Sequence, residues 1–250
     1  DPLWSRGLGD VYKRQRIPNT RQKPTQVHHV LNTAESGTGN KPPRTWRIVG
    51  GVCAAALAIL VSGFVLWPIT PRDLGVGNQM QQANIYRHWQ GGEVIVLVRH
   101  AERCDRSANP CLGPADGITQ LGSHSASDLG RAFRTLGMAA TDVISSPATR
   151  TRQTTEFMFN GAAQTQDWLA TCDEHFQQTI KAHKSLKRNL ILITHSDCIS
   201  SLERQLGYPH ALASEYTSSL FITLDPQGHM QVLGTLDAGS WQHVLDQPLE

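Results

Sequence analysis

An uninterrupted apolar run that leads directly into cationic side chains constrains this chain most. Val94–Val98 reads V-I-V-L-V, and Arg99, His100 and Arg103 follow it in the pattern Arg-His-x-x-Arg. Five consecutive apolar residues of this kind are typical of a strand buried on both faces of a parallel sheet. Ligands of open α/β sheets bind at the carboxyl edge, where these side chains are expected. Two guanidinium groups suit a phosphate dianion, and a neutral imidazole between them can attack phosphorus.

Two other segments place similar side chains at the ends of strands. Leu190–Thr194 (L-I-L-I-T) is a second apolar strand and is followed by His195. The short strand Asp142–Ser145 precedes a helix whose first turn carries Arg150. Adjacent parallel strands would bring both imidazoles to one edge, and helix N-termini would add backbone donors for an anion. The sequence therefore predicts an anion site built from several strand ends.

Strands and helices alternate along the main part of the chain. Helices are predicted at Asn78–Trp89, Thr119–Leu136, Thr149–Phe159, Glu174–Leu186 and from His195 to Leu206. Two final strands, Ser219–Leu224 and Met230–Leu236, are joined by a turn at Asp225–Gly228. This order predicts a three-layer α/β/α domain with a mostly parallel central sheet.

Charge is divided unevenly over the 250 residues. Residues 1–47 carry nine Lys or Arg against three Asp or Glu, whereas residues 48–250 carry fourteen against eighteen. The main domain therefore lacks the basic surface expected of a nucleic-acid-binding protein. Residues 1–47 are expected to form a disordered basic tail in the cytoplasm, of which residues 1–15 are interpreted as non-native sequence.

Residues 48–71 contain no charged side chain, and such a run is long enough to span a bilayer. Arg44 and Arg47 precede it, and Trp46 and Trp67 lie near its ends, a pattern that orients the N-terminus towards the cytoplasm. A single transmembrane signal anchor is predicted over residues 48–70. A buried core helix and a cleaved signal peptide are the alternatives, and the run is long for either. Residues 71–92 are expected to be a linker with a short helix.

Cys104, Cys111, Cys172 and Cys198 lie in the part of the chain expected outside the cytoplasm, where disulfides persist. Four cysteines allow three connectivities. Cys104 and Cys111 would close a short loop beside His100, so we expect this pair first, which leaves Cys172 for Cys198. A zinc site is the alternative, but no close Cys-x-x-Cys pair supports it. We expect no metal and no cofactor.

Four motifs resemble those of the histidine phosphatase (phosphoglycerate-mutase-like) superfamily. VLVRHAER resembles its Arg-His-Gly motif, with Ala101 in place of the usual Gly, and GITQLG (Gly117–Gly122) is similar to its Leu-Thr-x-x-Gly helix start. SSPATRTRQT (Ser145–Thr154) is similar to its Ser-x-x-x-x-Arg-x-x-Gln-Thr element, and ITHSD resembles its second His motif. The motifs keep the family's order over about residues 92–240. We therefore place a histidine phosphatase domain at residues 93–245.

The resemblance implies catalysis through a phosphohistidine. His100 is expected to be the nucleophile. The groups expected to hold the phosphate oxygens are the cationic or imidazole side chains of Arg99, Arg103, Arg150 and His195. No metal is needed, since these cations supply the required charge.

Other site residues are less constrained by the motifs. Families of this kind often place an acid between the Arg150 motif and the second His. Glu174 is favoured there as proton donor, with Asp173, Glu102 and Asp197 as alternatives. Many members have Asn six residues after the nucleophile, where this chain has Arg106. The candidate substrate-binding residues are Arg106, Glu102 and Ser196.

Within the superfamily, RHAERCDRSANPC followed by G-I-T is more similar to the phosphatases of lipopolysaccharide core heptose(II) phosphate, which are exported bacterial proteins. The expected function is a phosphomonoesterase, anchored in the bacterial inner membrane and facing the periplasm, that acts on a phosphorylated envelope sugar or lipopolysaccharide. A phosphohistidine-protein phosphatase, a mutase and a non-catalytic phosphosugar-binding envelope protein are the alternatives. A protein that only binds its ligand needs no nucleophile, which argues against the non-catalytic alternative.

Overall fold

A computed structural model of the chain describes residues 44–65, 70–209 and 211–246. The predicted tail lies outside these residues except for 44–47, which are helical. Helix α1 covers Arg44–Val65 and exposes apolar side chains such as Leu57 and Leu60. Within the described ranges, no helix is both long enough and apolar enough to cross a membrane. The transmembrane segment expected over residues 48–70 is therefore not confirmed.

A mixed six-stranded sheet lies at the centre of the following part of the chain. Its strands are β1 (Val94–Arg99), β2 (Thr141–Ser145), β3 (Gln164–Thr165), β4 (Asn189–Thr194), β5 (Ser219–Leu224) and β6 (Met230–Leu236). The order is β3-β2-β4-β1-β5-β6. The pairings from β3 to β1 are parallel, and those of β5 with β1 and β6 are antiparallel. The strands that carry the motifs thus form the parallel half of the sheet, as expected.

Helices cover both faces of the sheet, which confirms the three-layer architecture. They are α2 (Gln79–Gln82), α3 (Ile85–Gln90), α4 (Gln120–Leu136), α5 (Thr149–Phe159), α6 (Trp168–Thr171), α7 (Phe176–His183), α8 (Ser196–Gln205) and α9 (Trp241–Leu245). Successive side chains of a strand point to opposite faces. Val94, Val96 and Val98 pack in the core formed with α2–α5 and α9, whereas Ile95 and Leu97 pack in the core formed with α6–α8.

Several elements differ from the sequence-based expectation. The helix expected at Asn78–Trp89 is split into α2 and α3, because Asn84 adopts a left-handed conformation with φ of 53°. The segment 71–92, expected to be a linker, contributes to the core of the sheet through the buried side chains of Leu74, Met80 and Trp89. The helix expected at Glu174–Leu186 is shorter, as α7. The short elements β3, α6 and α9 were not expected, because fewer than six residues give no clear periodicity.

A close contact between α4 and α5 fixes the helix that carries Arg150. Gly130 of α4 lies against the backbone of Met158, so that a Cβ at position 130 would overlap with the Met158 carbonyl oxygen. The Arg134 side chain donates a hydrogen bond to the same oxygen at 2.7 Å. The backbones of the two helices can therefore approach this closely only with glycine at position 130.

We expect Gly130→Ala to destabilise the protein, because the added methyl group forces α4 and α5 apart. Overpacking of this kind costs about 2 kcal/mol of the free energy of unfolding, which exceeds the gain in helix propensity. Urea unfolding followed by circular dichroism measures the change. Gly161→Ala is the matched control, since a Cβ at that position has no neighbour within 4 Å. Equal midpoints for the two variants would contradict the close contact.

Candidate active site

The carboxyl ends of three adjacent parallel strands meet at one edge of the sheet. In the register of β1 and β4, Arg99 lies opposite Thr194, and the next residues are His100 and His195. The two imidazole rings consequently approach to 5.4 Å between centroids. The end of β2 lies on the other side of β4, with Ser145 opposite Ile193. The ends of β1, β4 and β2 therefore lie together at one edge, as the apolar strands predict.

His100 is held as a neutral imidazole with one nitrogen available. Its side chain is only 3 % exposed, and Nδ1 is 2.8 Å from the Ala101 carbonyl oxygen. A carbonyl only accepts hydrogen bonds, so Nδ1 carries the proton and Nε2 keeps its lone pair. Burial, with further contributions from Arg150, His195 and Arg99, lowers the pKa of His100 to about 3. The imidazole is therefore uncharged at neutral pH.

His195 has the opposite tautomer. Arg150 Nη2 donates to His195 Nδ1 at 3.1 Å, so the proton of the neutral ring lies on Nε2, which is 2.9 Å from Ser146 Oγ. Burial and the nearby Arg150 lower the pKa of His195 to about 4. Sequence reasoning missed Ser146 as a partner, although its position just after β2 places it at the same edge. These contacts orient the second imidazole towards the first.

Two guanidinium groups lie half-buried at this edge. Arg99 stacks on the Tyr216 ring, with its central carbon 3.9 Å from the ring centroid, and donates to the Ser214 carbonyl oxygen. The Nε atoms of Arg99 and Arg150 are buried and have no hydrogen-bond partner among the described residues. Burial lowers the pKa of both groups, which nevertheless stay charged at neutral pH. Nothing in the sequence around Tyr216 indicated its role.

The loop after β1 is fastened by its own polar groups. Arg103 Nε donates to Asp105 Oδ1 at 2.7 Å. The Glu102 carboxylate accepts hydrogen bonds from Thr119 Oγ1 at 2.6 Å and from Asn109 Nδ2 at 2.9 Å. Thr119 also caps α4, and its Oγ1 accepts from the amide of the residue three positions later. Glu102, a candidate substrate-binding residue, therefore holds the loop and does not line the cleft.

Both expected disulfides are confirmed. Cys104 pairs with Cys111 and closes the loop after β1, and Cys172 pairs with Cys198. The second disulfide attaches the residue after α6 to the first turn of α8. Both therefore restrain segments next to the two histidines.

These elements enclose a polar cleft of about 470 Å³. Of the candidate residues, Arg106 and Ser196 line it, whereas Glu174 does not. The Glu174 carboxylate is exposed and lies 3.7 Å from His175 Nε2, so its role as proton donor stays a prediction. Asp197 is the acidic residue among the described ones that line the cleft. The lining side chains are those of Arg99, His100, Arg103, Arg106, Ala148, Arg150, Ala170, Thr171, Cys172, His195, Ser196, Asp197, Cys198, Ser201 and Arg204.

The family model "Histidine phosphatase superfamily (branch 1)" matches residues 95–176. The lipopolysaccharide core heptose(II)-phosphate phosphatases of Escherichia coli O139:H28 (strain E24377A / ETEC) and Escherichia coli (strain K12 / DH10B) are each 37% identical to this chain over 114 residues. The match covers 44% of this chain and 56% of each relative, so the chain spans about half the length of these curated relatives. The resemblance to the superfamily, predicted from the four motifs, is confirmed.

Several solved structures are similar to this chain. One is the protein histidine phosphatase SixA complexed with tungstate, with a TM-score of 0.48 and 16% identity over 58% of this chain and 97% of that one. Another is phosphoglycerate mutase from Bacillus anthracis str. Sterne, with a TM-score of 0.46 and 15% identity over 63% of this chain and 99% of that one.

The low pKa of His100 predicts how acid affects the stability of the protein. Since the folded-state pKa of about 3 lies below the ordinary value, the unfolded chain binds the proton more tightly, and stability falls as the pH drops below that ordinary value. From pH 7 to pH 4, the wild type is expected to lose about 2–3 kcal/mol more of its unfolding free energy than His100→Gln does. Urea titrations at both pH values measure this difference.

His124→Gln is the control, because His124 is an exposed histidine on α4. This control variant retains His100, so between pH 7 and pH 4 it should lose as much unfolding free energy as the wild type does. If the unfolding free energy of His100→Gln depended on pH as that of the wild type does, His100 would not be held neutral by burial.

Proposed function

We propose that this chain, whose residues 95–176 match the histidine phosphatase superfamily, is a phosphomonoesterase that works through a phosphohistidine at His100. The observation that carries the proposal is the state of His100. Its Nδ1 proton is engaged by the Ala101 carbonyl, and its Nε2 lone pair is free beside the guanidinium groups of Arg99 and Arg150. A nucleophile in this state needs no base to activate it.

In the proposed reaction, His100 Nε2 attacks phosphorus and forms the N–P bond while the bond from phosphorus to the ester oxygen breaks. Arg99 and Arg150 neutralise the charge on the remaining phosphate oxygens, which grows in the transition state. A bound dianion also raises the pKa of His195, because an opposite charge favours the protonated imidazole. Asp197, an alternative donor that lines the cleft, is the proposed acid: it gives a proton to the leaving oxygen and takes one back from the water that attacks next. Water then attacks the phosphohistidine, which releases phosphate and restores His100.

The substrate class that we propose is a phosphorylated sugar of the bacterial envelope, such as lipopolysaccharide core heptose. The identity to relatives named for this activity supports it. The cleft supports it as well, because it extends from the histidines to Ser201 and Arg204 on α8 and offers more polar surface than a phosphate ion can cover.

We expect His100→Ala to lower kcat for p-nitrophenyl phosphate by at least about 1000-fold, because the nucleophile is lost. His124→Ala, which changes an exposed histidine outside the cleft, should keep wild-type activity. Mass spectrometry after rapid quenching without acid should find phosphate on the peptide that contains His100 in the wild type only. Normal turnover by His100→Ala would rule out the proposed nucleophile.

We further propose that the phosphatase region lies in the periplasm and that the segment around α1 attaches it to the inner membrane. The two disulfides support a periplasmic location, since disulfides persist in oxidising compartments. The exposed apolar side chains of α1, including Val52, Ile59 and Leu60, support attachment to an apolar environment. The arginines at positions 44 and 47 favour a cytoplasmic position for the preceding residues.

A reporter fused after Glu250 tests this location in bacteria. Alkaline phosphatase, which needs export to become active, should be active in the fusion, and a cytoplasm-dependent fluorescent reporter at the same site should be dark. Cell fractionation should find the fusion in the membrane pellet. The reverse reporter pattern would refute the periplasmic location, and recovery from the soluble fraction would refute the attachment.

A further inference from the structure

The cleft holds more positive charge than one phosphate group neutralises. Five arginines line it, against the single acidic side chain of Asp197. Asp105 neutralises Arg103 from beside the cleft. A phosphate dianion bound at His100 leaves at least one cationic group without a counter-charge. Beyond the effect of burial, the charge of Arg106 lowers the pKa of Arg99 and of Arg150, so Arg106 lies near the histidine end of the cleft. Arg204, in contrast, lies farther along α8.

Arg106 and Arg204 differ from the arginines at the strand ends in their surroundings. Arg99 and Arg150 are half-buried beside the histidines, whereas Arg106 and Arg204 are exposed at the cleft. Within the part of the chain that the structure describes, neither has a carboxylate oxygen within 4.0 Å. Exposed guanidinium groups without an ion-pair partner are available to a bulky charged ligand.

The position of Arg204 along α8 sets the distance between the two charged regions. Asp197, Ser201 and Arg204 recur at helical spacing, so they lie along one face of α8 that forms a wall of the cleft. Arg204 comes nine residues after His195, which is roughly 13 Å along a helix. Helical side chains lean towards the N-terminus, which brings the guanidinium group to roughly 10 Å from the histidines.

Arg106 reaches the same cleft from another element. It ends the short 3₁₀ turn Cys104–Arg106, and the Cys104–Cys111 disulfide restrains the loop that contains this turn. Because Arg106 and Arg204 line one cleft from two separate elements, a large anionic ligand can contact both, which gives more specificity than a single flexible side chain.

We propose that Arg204, assisted by Arg106, forms a second anion subsite, so that the preferred substrate is a phosphomonoester whose leaving group carries another anionic group roughly 10 Å from the transferred phosphorus. The substrate class is thus a multiply charged saccharide and not a simple sugar monophosphate. This inference rests on the proposed function for the position of the transferred phosphate. Binding at the second subsite raises the affinity for such a substrate, and it leaves the chemistry at His100 unchanged.

Isothermal titration calorimetry on the full chain carrying His100→Ala tests the proposal, because this variant binds without turnover. The probes are glucose 6-phosphate and glucose 1,6-bisphosphate. The first carries one phosphate, and the second carries two at opposite ends of the sugar. We expect about tenfold tighter binding of the bisphosphate, a gain of one to two charge-assisted contacts. Adding Arg204→Gln should reduce this preference to less than threefold while the affinity for glucose 6-phosphate is kept.

Arg152→Gln is the matched control, since Arg152 is an exposed arginine on α5 that does not line the cleft. It should retain the tenfold preference. The proposal is overturned when Arg204→Gln lowers the affinity for both sugar phosphates by the same factor. It is also overturned when the protein that carries only His100→Ala shows no preference for the bisphosphate. Turnover of p-nitrophenyl phosphate by the wild type tests the proposed function separately. If the wild type does not turn over p-nitrophenyl phosphate but the preference for binding the bisphosphate is observed, the proposed function is wrong and the second subsite is still supported.

Discussion

The parallel pairing of β1 with β4 is the constraint on which the rest of the structure depends. Because Arg99 lies opposite Thr194, the residues that follow each strand emerge side by side, and the two imidazoles lie 5.4 Å apart. A shift of the register by one residue would exchange the faces of β1. It would move His100 away from His195 and disturb both apolar cores at once. The hydrophobic packing of the strand interiors therefore fixes the geometry of this edge of the sheet.

Burial at this edge has a chemical consequence as well as a structural one. A charged imidazole would lose its hydration and would lie beside Arg99 and Arg150, so the neutral form is favoured and the pKa of His100 falls to about 3. The same cations attract a phosphate dianion. Burial and these cations thus keep His100 neutral, and in the proposed function the same cations hold the phosphate next to it. The cost is a fold that is less stable in acid, where the unfolded chain takes up the protons.

Sequence reasoning succeeded where the signal is local. The apolar runs of β1 and β4, the Thr119 cap of α4 and the start of α5 each depend on a few neighbouring residues. It failed where a role depends on tertiary contacts. Ser146 becomes the partner of His195 only when β2 pairs with β4, and Tyr216 reaches Arg99 from a loop more than a hundred residues away. The proton donor belongs to this second class, because the chain contains many acids and only the fold decides which of them line the cleft.

A cluster of guanidinium groups also has to be held together against its own repulsion. Two unit charges 6 Å apart repel by about 3 kcal/mol at an effective dielectric constant of 20. Each arginine at the histidines is held by its own contact: Arg99 by Tyr216, Arg103 by Asp105, and Arg150 by His195. Asp105 lies two residues after Arg103, but Tyr216 and His195 are distant in sequence from their arginines and reach them only after the sheet has formed, so the folded state is what brings the cationic cluster together. In the proposed function, the incoming phosphate relieves this repulsion between the arginines, which strengthens its binding.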